Sequence, residues 1–237
     1  MYKDYFDQFG IELNKKQASQ LEKYYHTLIE ENQKYNLTAI TEEKDVYIKH
    51  FVDSMLIEMF FKKNSIHVTN QKIIDIGTGA GFPAFPIKIL YPEVKVTCLD
   101  SLNKRIKFLH DTSNMLSFSN VQMVHGRAED IGQLSEHREK YDFAVSRAVA
   151  ELRLLLEFVM PFVKVNGYFI AYKSLKYDEE LKDASYALSE LKTEYIETIE
   201  LDLPEDYGKR ELMIFRKNGN ISKKYPRKPG IPKKSPL

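Results

Sequence analysis

One cysteine, Cys98, stands among the 237 residues, and there is no tryptophan. A single thiol cannot close an internal disulfide or build a cysteine-based zinc site, and it suits a reducing compartment. No apolar run approaches the ~20 residues of a membrane-spanning helix, so no membrane association is expected. The start, Met1-Tyr2-Lys3-Asp4-Tyr5, lacks an apolar core. No signal peptide is therefore expected, and the expected location is the cytoplasm. H-x-x-x-H spacing and a Ser/His/Asp set are both missing, so no metal is expected. Net charge is almost missing too: 35 basic and 34 acidic residues leave +1. Taken whole, that balance argues against a nucleic-acid partner.

Resolved along the chain, the charge is uneven. From Lys209 to the end there are ten Lys/Arg and one acid, Glu211, a net of +9. The preceding residues hold 25 basic and 33 acidic side chains, a net of −8. A basic end on an acidic body points to an anionic partner for that end. Residues 217–237 carry four prolines and few apolar residues. This tail is expected to build no core and to run along the surface or move freely. Lys223, Lys224, Arg227 and Lys228 within it are candidate contacts to that anion.

Hydrophobic periodicity divides the rest. Residues 1–63 read as a helical cap. Asn14 suits an N-cap before Leu21, Tyr24, Tyr25, Leu28 and Ile29, which recur at helical spacing. Thr41 is expected to cap the next helix. After the polar stretch 62–71 the texture changes to short β-branched runs alternating with helical patterns over 72–216. Strands are expected around Ile73–Ile76, Val94–Leu99, Val121–Val124, Phe143–Val145 and Gly167–Lys173, which implies βαβ units and a parallel sheet. Tyr195–Leu201 and Glu211–Arg216 flank a turn and predict an antiparallel pair at the sheet edge.

The motif with most chemical content is Asp75-Ile76-Gly77-Thr78-Gly79-Ala80-Gly81-Phe82, between a predicted strand and a predicted helix. Glycines at such a corner admit a ligand to the backbone, next to a helix N-terminus. A dinucleotide fingerprint requires G-x-G-x-x-G, but position 82 is Phe. An acid followed by G-x-G-x-G instead resembles the first motif of class I S-adenosylmethionine-dependent methyltransferases. Asp100, ending the second strand, suits either nucleotide, because one carboxylate can accept from both ribose hydroxyls. A loop without any ligand is the third reading. In the methyltransferase fold, the corner Gly126-Arg127-Ala128-Glu129 would lie beside adenine. Arg147 and Lys173 close strands at the same sheet end, where ligands bind in open α/β sheets.

Several segments together resemble the RsmG (GidB) family of bacterial 16S rRNA guanine-N7 methyltransferases. They are Tyr35-Asn36-Leu37-Thr38-Ala39-Ile40, His50-Phe51-Val52-Asp53-Ser54, the glycine loop with Pro83, and Lys104-Arg105-Ile106-Lys107-Phe108-Leu109. Gly126-Arg127-Ala128-Glu129, Ser146-Arg147-Ala148-Val149-Ala150 and Tyr225-Pro226-Arg227-Lys228-Pro229-Gly230-Ile231-Pro232 follow in order. The chain departs at Asn32, where members often carry Trp, and at Ala84, where glycine is common.

The resemblance implies a Rossmann-like, mostly parallel seven-stranded sheet with an antiparallel terminal strand and a small helical cap. It implies S-adenosylmethionine as cofactor, with Asp75, Gly77, Gly79, Phe82, Asp100, Ala128, Glu129 and Arg147 as cofactor contacts. Arg127, Arg147 and Lys173 match basic positions tied to activity. The partner is 16S rRNA or the 30S subunit, and a monomer is expected. A protein or small-molecule substrate is the alternative. Guanine N7 carries a free lone pair and needs no deprotonation, so positioning can carry catalysis. Arg147 and Lys173 would then serve phosphate, O6 or the cofactor carboxylate. His50, with Asp53 at i+3, reads as a buried structural pair. Tyr24, Tyr25 and Tyr35 read as cap core, and Cys98 as a small buried strand residue.

Overall fold

The computed structural model describes residues 2–147, 150–173 and 177–237. Ala148 and Val149 of the S-R-A-V-A segment lie outside them. Asn14 starts the helix Lys15–Tyr35 by a reciprocal exchange with Gln17. Asn14 Oδ1 accepts from Gln17 N at 3.0 Å, and Gln17 Oε1 accepts from Asn14 N at 2.9 Å. Two N–H groups that have no partner inside a helix are thus satisfied. Gln17 Nε2 also donates to the carbonyls of Ile89 and Leu90, at the far end of the helix Ala84–Leu90.

The next helix begins at Glu43, with Glu42 rather than Thr41 as N-cap, and that cap makes no side-chain bond. The chain then widens into a π-helical segment, Tyr47–Val52, before Asp53–Met55 and Ile57–Lys63. Wide turns of this kind recur at functional sites, and this one carries His50.

Seven strands follow: β1 Lys72–Ile76, β2 Lys95–Asp100, β3 Val121–His125, β4 Tyr141–Arg147, β5 Val163–Lys173, β6 Thr193–Asp202 and β7 Lys209–Lys217. Their order in the sheet is β3-β2-β1-β4-β5-β7-β6. Neighbours among β1 to β5 pair in parallel, while β7 is antiparallel to both β5 and β6. The hairpin is therefore inserted with β7 inside and β6 on the edge. The chain reverses its direction of travel across the sheet between β1 and β4, and such a switch point opens a crevice at the C-terminal strand ends.

Alternation along β1 shows how the core is divided. Ile73 packs with Tyr24, Phe51 and Phe60 of the N-terminal helices, whereas Ile74 and Ile76 pack with Leu155, Phe158 and Phe169 on the opposite face. The helix Ile57–Lys63 meets the sheet directly, with Phe60 edge-on to Tyr168 and Phe61 edge-on to Phe143, while the helix Lys15–Tyr35 lies on the helices Ala84–Leu90 and Asn103–Met115. Cys98 lies fully buried in β2, and burial raises its thiol pKa. No described helix is long and apolar enough to cross a membrane.

The tail corrects its expectation. Ile221 and Tyr225 are 5% and 3% exposed and belong to the second core. Arg138 donates to the carbonyls of Ile221, Ser222 and Tyr225, and Gln133 donates to those of Lys223 and Pro226. A short segment with little apolar content docks because the host surface supplies the core and the donors its backbone needs.

Candidate active site

The glycine loop turns at the C-terminal end of β1. Gly77, Gly79 and Gly81 have φ of 75°, 61° and 101°, a region that other residues adopt at a cost. Gly81 is crowded as well: a Cβ there would lie 2.8 Å from Tyr24 Oη and 2.9 Å from Leu109 Cδ2. Tyr24 Oη donates to the Ala80 carbonyl at 2.5 Å. The first long helix thereby presses on the loop from the cap side.

Asp75 is not where the sequence reading put it. It shares Ile73's face of β1, is fully buried and does not line the cleft. Its Oδ2 accepts from Ala84 N at 3.2 Å, holding the next helix's N-terminus behind the loop. Its Oδ1 has no hydrogen-bond partner, and burial pushes the carboxyl pKa up to about 7.

A cleft of about 720 Å³ opens at the ends of β1, β2 and β4. Gly77, Gly79, Phe82, Asp100, Arg127, Ala128, Glu129 and Arg147, all expected from sequence, line it. Asp100 is 4% exposed and already serves three donors. Its Oδ1 accepts from Leu102 N at 2.9 Å, and its Oδ2 accepts from Gly79 N at 3.0 Å and Arg105 Nη1 at 3.1 Å. A carboxylate has about four acceptor sites. Room for a second ribose hydroxyl therefore requires Arg105 to withdraw. Leu102, 44% exposed, and Phe158 add apolar side chains to the cleft wall.

The opposite end is built around Arg147. Its Nη1 donates to Lys49 O and to Asp53 Oδ2, both at 2.8 Å, and its Nη2 donates to His50 Nδ1 at 3.0 Å. Asp53 also has Arg210 Nε 3.2 Å from Oδ1, close enough for an ion pair but not aligned as a hydrogen bond. The guanidinium of Arg147 lies 5.1 Å over the Phe82 ring, and His50 stacks on that ring at 4.4 Å. Phe82 in turn stacks on Tyr24 at 5.3 Å, so it is both cleft wall and packing residue. Burial, then the Arg147 charge, pushes the His50 pKa down to about 3. The imidazole is therefore neutral.

Other expected residues lie elsewhere. Lys173 Nζ donates to Glu180 Oε2 at 2.7 Å and to Ala150 O at 2.9 Å, and it does not line the cleft. β5 lies one strand beyond β4, away from the switch point, so its end staples a neighbouring segment instead. Arg227 donates through Nε and Nη2 to the fully buried Glu157. A buried carboxylate needs its cation, which removes Arg227 from the phosphate-contact set. Lys224 pairs with Glu190 at 2.7 Å, while Lys223 and Lys228 are exposed. Thr38, His50, Arg105 and the tail residues Gly230 and Lys233 also line the cleft. From sequence, His50 reads as structural and no role falls to Thr38, Arg105, Gly230 or Lys233, although Thr38, Arg105 and Gly230 stand inside three of the family segments. Among the described residues, no cluster of His, Cys, Asp and Glu could hold a metal ion.

The comparisons agree with this geometry. Among solved structures, a putative sarcosine dimethylglycine methyltransferase from Galdieria sulphuraria superposes with a TM-score of 0.55 at 15% identity, covering 72% of this chain and 86% of that one. A SAM-dependent methyltransferase from Aquifex aeolicus gives 0.53 at 16% identity, covering 72% and 93%. These likenesses show the class I methyltransferase fold. A ribosomal RNA small subunit methyltransferase G from Staphylococcus saprophyticus is 48% identical over 228 residues, 96% of this chain and 93% of that protein. The protein of the same name from a Thermoanaerobacter species is 47% identical over 230 residues, 97% and 94% of the two chains. Residues 17–207 match the GidB family, described as rRNA small subunit methyltransferase G. With its glycine loop, its Asp100 and its Arg147 network in one cleft, the chain belongs to the GidB family of small-subunit rRNA methyltransferases.

Proposed function

We propose that the cleft binds S-adenosylmethionine between the glycine loop, Asp100 and the Ala128–Glu129 corner, and presents it to N7 of a guanine in 16S rRNA of the small subunit. One observation carries the reading: a single cavity joins an acidic, glycine-lined end to an end ringed by donors with no free base. Asp100 retains an acceptor site for ribose, and the exposed Leu102 side chain with Phe158 offers an apolar bed for a purine. At Gly79 a side chain would project into space with only the Gly77 carbonyl within 4.0 Å, space the glycine leaves open. When bound, the cofactor supplies its sulfonium methyl, which passes to the N7 lone pair while the carbon–sulfur electron pair stays on sulfur.

This chain's residues then have to orient and to exclude water rather than move protons. That suits a site whose only histidine on the wall has Nδ1 engaged by Arg147 and Nε2 by Thr38. Three of the five Arg147 N–H groups are held by Lys49, Asp53 and His50, and the other two have no partner among the described residues. Residues 1–63 act as a cap that fixes the loop, 72–216 as the methyltransferase domain, and 217–237 as a docked strap. Its Lys223 and Lys228 remain as exposed phosphate contacts, with Arg127 at the cleft. The protein acts as a monomer in the cytoplasm, where the ribosome is.

Methyl-label transfer to 30S subunits and to naked 16S rRNA, with the modified base mapped, tests the reading. One labelled guanine, modified at N7, is the expected result. Label on protein alone would overturn it.

A further inference from the structure

The N-L-T segment places one hydroxyl on the cleft wall whose direction is forced by its neighbours. Asn32 Oδ1 accepts from Leu37 N at 2.7 Å and Thr38 N at 2.9 Å, which pins the turn. Thr38 is half-buried and lines the cleft beside His50 and Arg147.

The chain of polarity starts at Arg147. A guanidinium has donors and no acceptor, so His50 Nδ1, 3.0 Å from Arg147 Nη2, must accept. A neutral imidazole has one N–H, so the hydrogen sits on Nε2. Nε2 lies 2.9 Å from Thr38 Oγ1 and therefore donates to it. The reverse arrangement would set Nδ1–H against an Arg147 N–H. Ile40 N donates to the same Oγ1 at 3.0 Å. Both acceptor sites of the hydroxyl are then filled, and among the described residues nothing accepts its own hydrogen, which is left for a ligand.

Resting on the reading of the site given above, we propose that Thr38 donates its hydroxyl hydrogen to O6 of the target guanine and so selects guanine over adenine. On the edge that carries N7, guanine shows two acceptors, N7 and O6, whereas adenine shows N7 and an amino donor. A hydroxyl that can only donate, beside the remaining Arg147 N–H groups, matches the first pattern and opposes the second. Thr38 touches the substrate in this arrangement. His50 is a positioning residue that sets which way the hydroxyl points. The donor meets O6 rather than N7, so the lone pair that takes the methyl stays free.

Small subunits assembled on 16S rRNA with either guanine or 2,6-diaminopurine at the target position provide the test. Diaminopurine keeps N7 and replaces O6 by an amino donor. The wild-type protein is expected to prefer guanine in kcat/KM by about 100-fold or more, since buried polar groups left unpaired discriminate strongly. Thr38→Val should lower the guanine rate by about 30-fold, leave the diaminopurine rate within about threefold, and leave S-adenosylmethionine affinity by calorimetry unchanged. Thr38→Ser, which keeps both acceptor sites and the donor, should restore most of the preference.

A Thr38→Val protein that loses the same factor on both bases, or loses nothing, overturns the proposal. So does a Thr38→Ser protein as impaired as Thr38→Val. A wild-type protein that labels no guanine in the rRNA overturns the reading of the site together with it.

Discussion

Arg147 Nη1 lies 2.8 Å from Asp53 Oδ2, joining the end of β4 to the cap helices 94 residues earlier. Asp53 is buried between this arginine and Arg210, and its side chain is only 4% exposed. Arg147 lines the cleft, and its bond to Asp53 ties the N-terminal helices to the sheet.

Removing Arg147 therefore has two effects that can be separated. Arg147→Ala leaves Asp53 in the interior with one poorly aligned partner, and stability should fall by about 3 kcal/mol. Methyl transfer should fall by at least about 100-fold. Adding Asp53→Asn to that variant should recover much of the stability in denaturant unfolding but none of the transfer. Recovery of both would mean that the arginine only supports the fold.

Tyr24 tests the grip of the cap on the loop. Tyr24→Phe deletes the 2.5 Å bond to Ala80 O and leaves a buried carbonyl without its donor. Loss of such a bond costs about 1–2 kcal/mol, so cofactor affinity by calorimetry should weaken by roughly tenfold. Unchanged affinity would show that the glycine loop holds its shape without the cap.

Two buried groups give opposite pH slopes. The Asp75 carboxyl lies at about 7 in the folded protein against an ordinary 3.8. Between those values the folded chain keeps a proton that the unfolded chain has lost, so this group makes stability fall as pH rises. His50 lies at about 3 against an ordinary 6.5. Between those values the unfolded chain binds the extra proton, so stability falls as pH is lowered. In unfolding titrations, Asp75→Asn should flatten the decline toward pH 7. His50→Gln should flatten the loss between about pH 6.5 and 3. An unchanged slope in either variant removes that group from the account.

The tail cations should divide by partner. Arg227→Ala strands the buried Glu157 and should cost stability by about 3 kcal/mol. Replacing Lys223 and Lys228 together by Ala should leave stability near wild type. It should also reduce the slope of log affinity against log salt, on rRNA, by about 1.5. A salt slope that follows Arg227 instead would reverse this division.

Much of the architecture was legible beforehand because it rests on local period. Ile73, Ile74 and Ile76 ahead of the glycines marked β1, and Val94–Leu99 marked β2. Tyr195–Leu201 and Glu211–Arg216 marked the terminal hairpin, since strands and helices bury their faces at fixed spacing. Gly77, Gly79 and Gly81 announced the loop because positive φ leaves glycine with few rivals. Glu42 displaced Thr41 as cap because boundary signals are weak over one residue.

The sequence by itself determined the succession of strands and helices along the chain, the loop, the ligand site's place at the C-terminal strand ends and the family. Only the tertiary structure decided what each charged or polar side chain is used for. It turned Asp75 inward, put Lys173 on Glu180 and Arg227 on Glu157, and brought Thr38, His50 and Arg147 into one chain of hydrogen bonds. The reason is physical. Hydrophobic burial is written as a periodic pattern along the chain, but a polar group's role depends on which partner lies within 3 Å of it. For Arg147 and His50 that partner is 97 residues away.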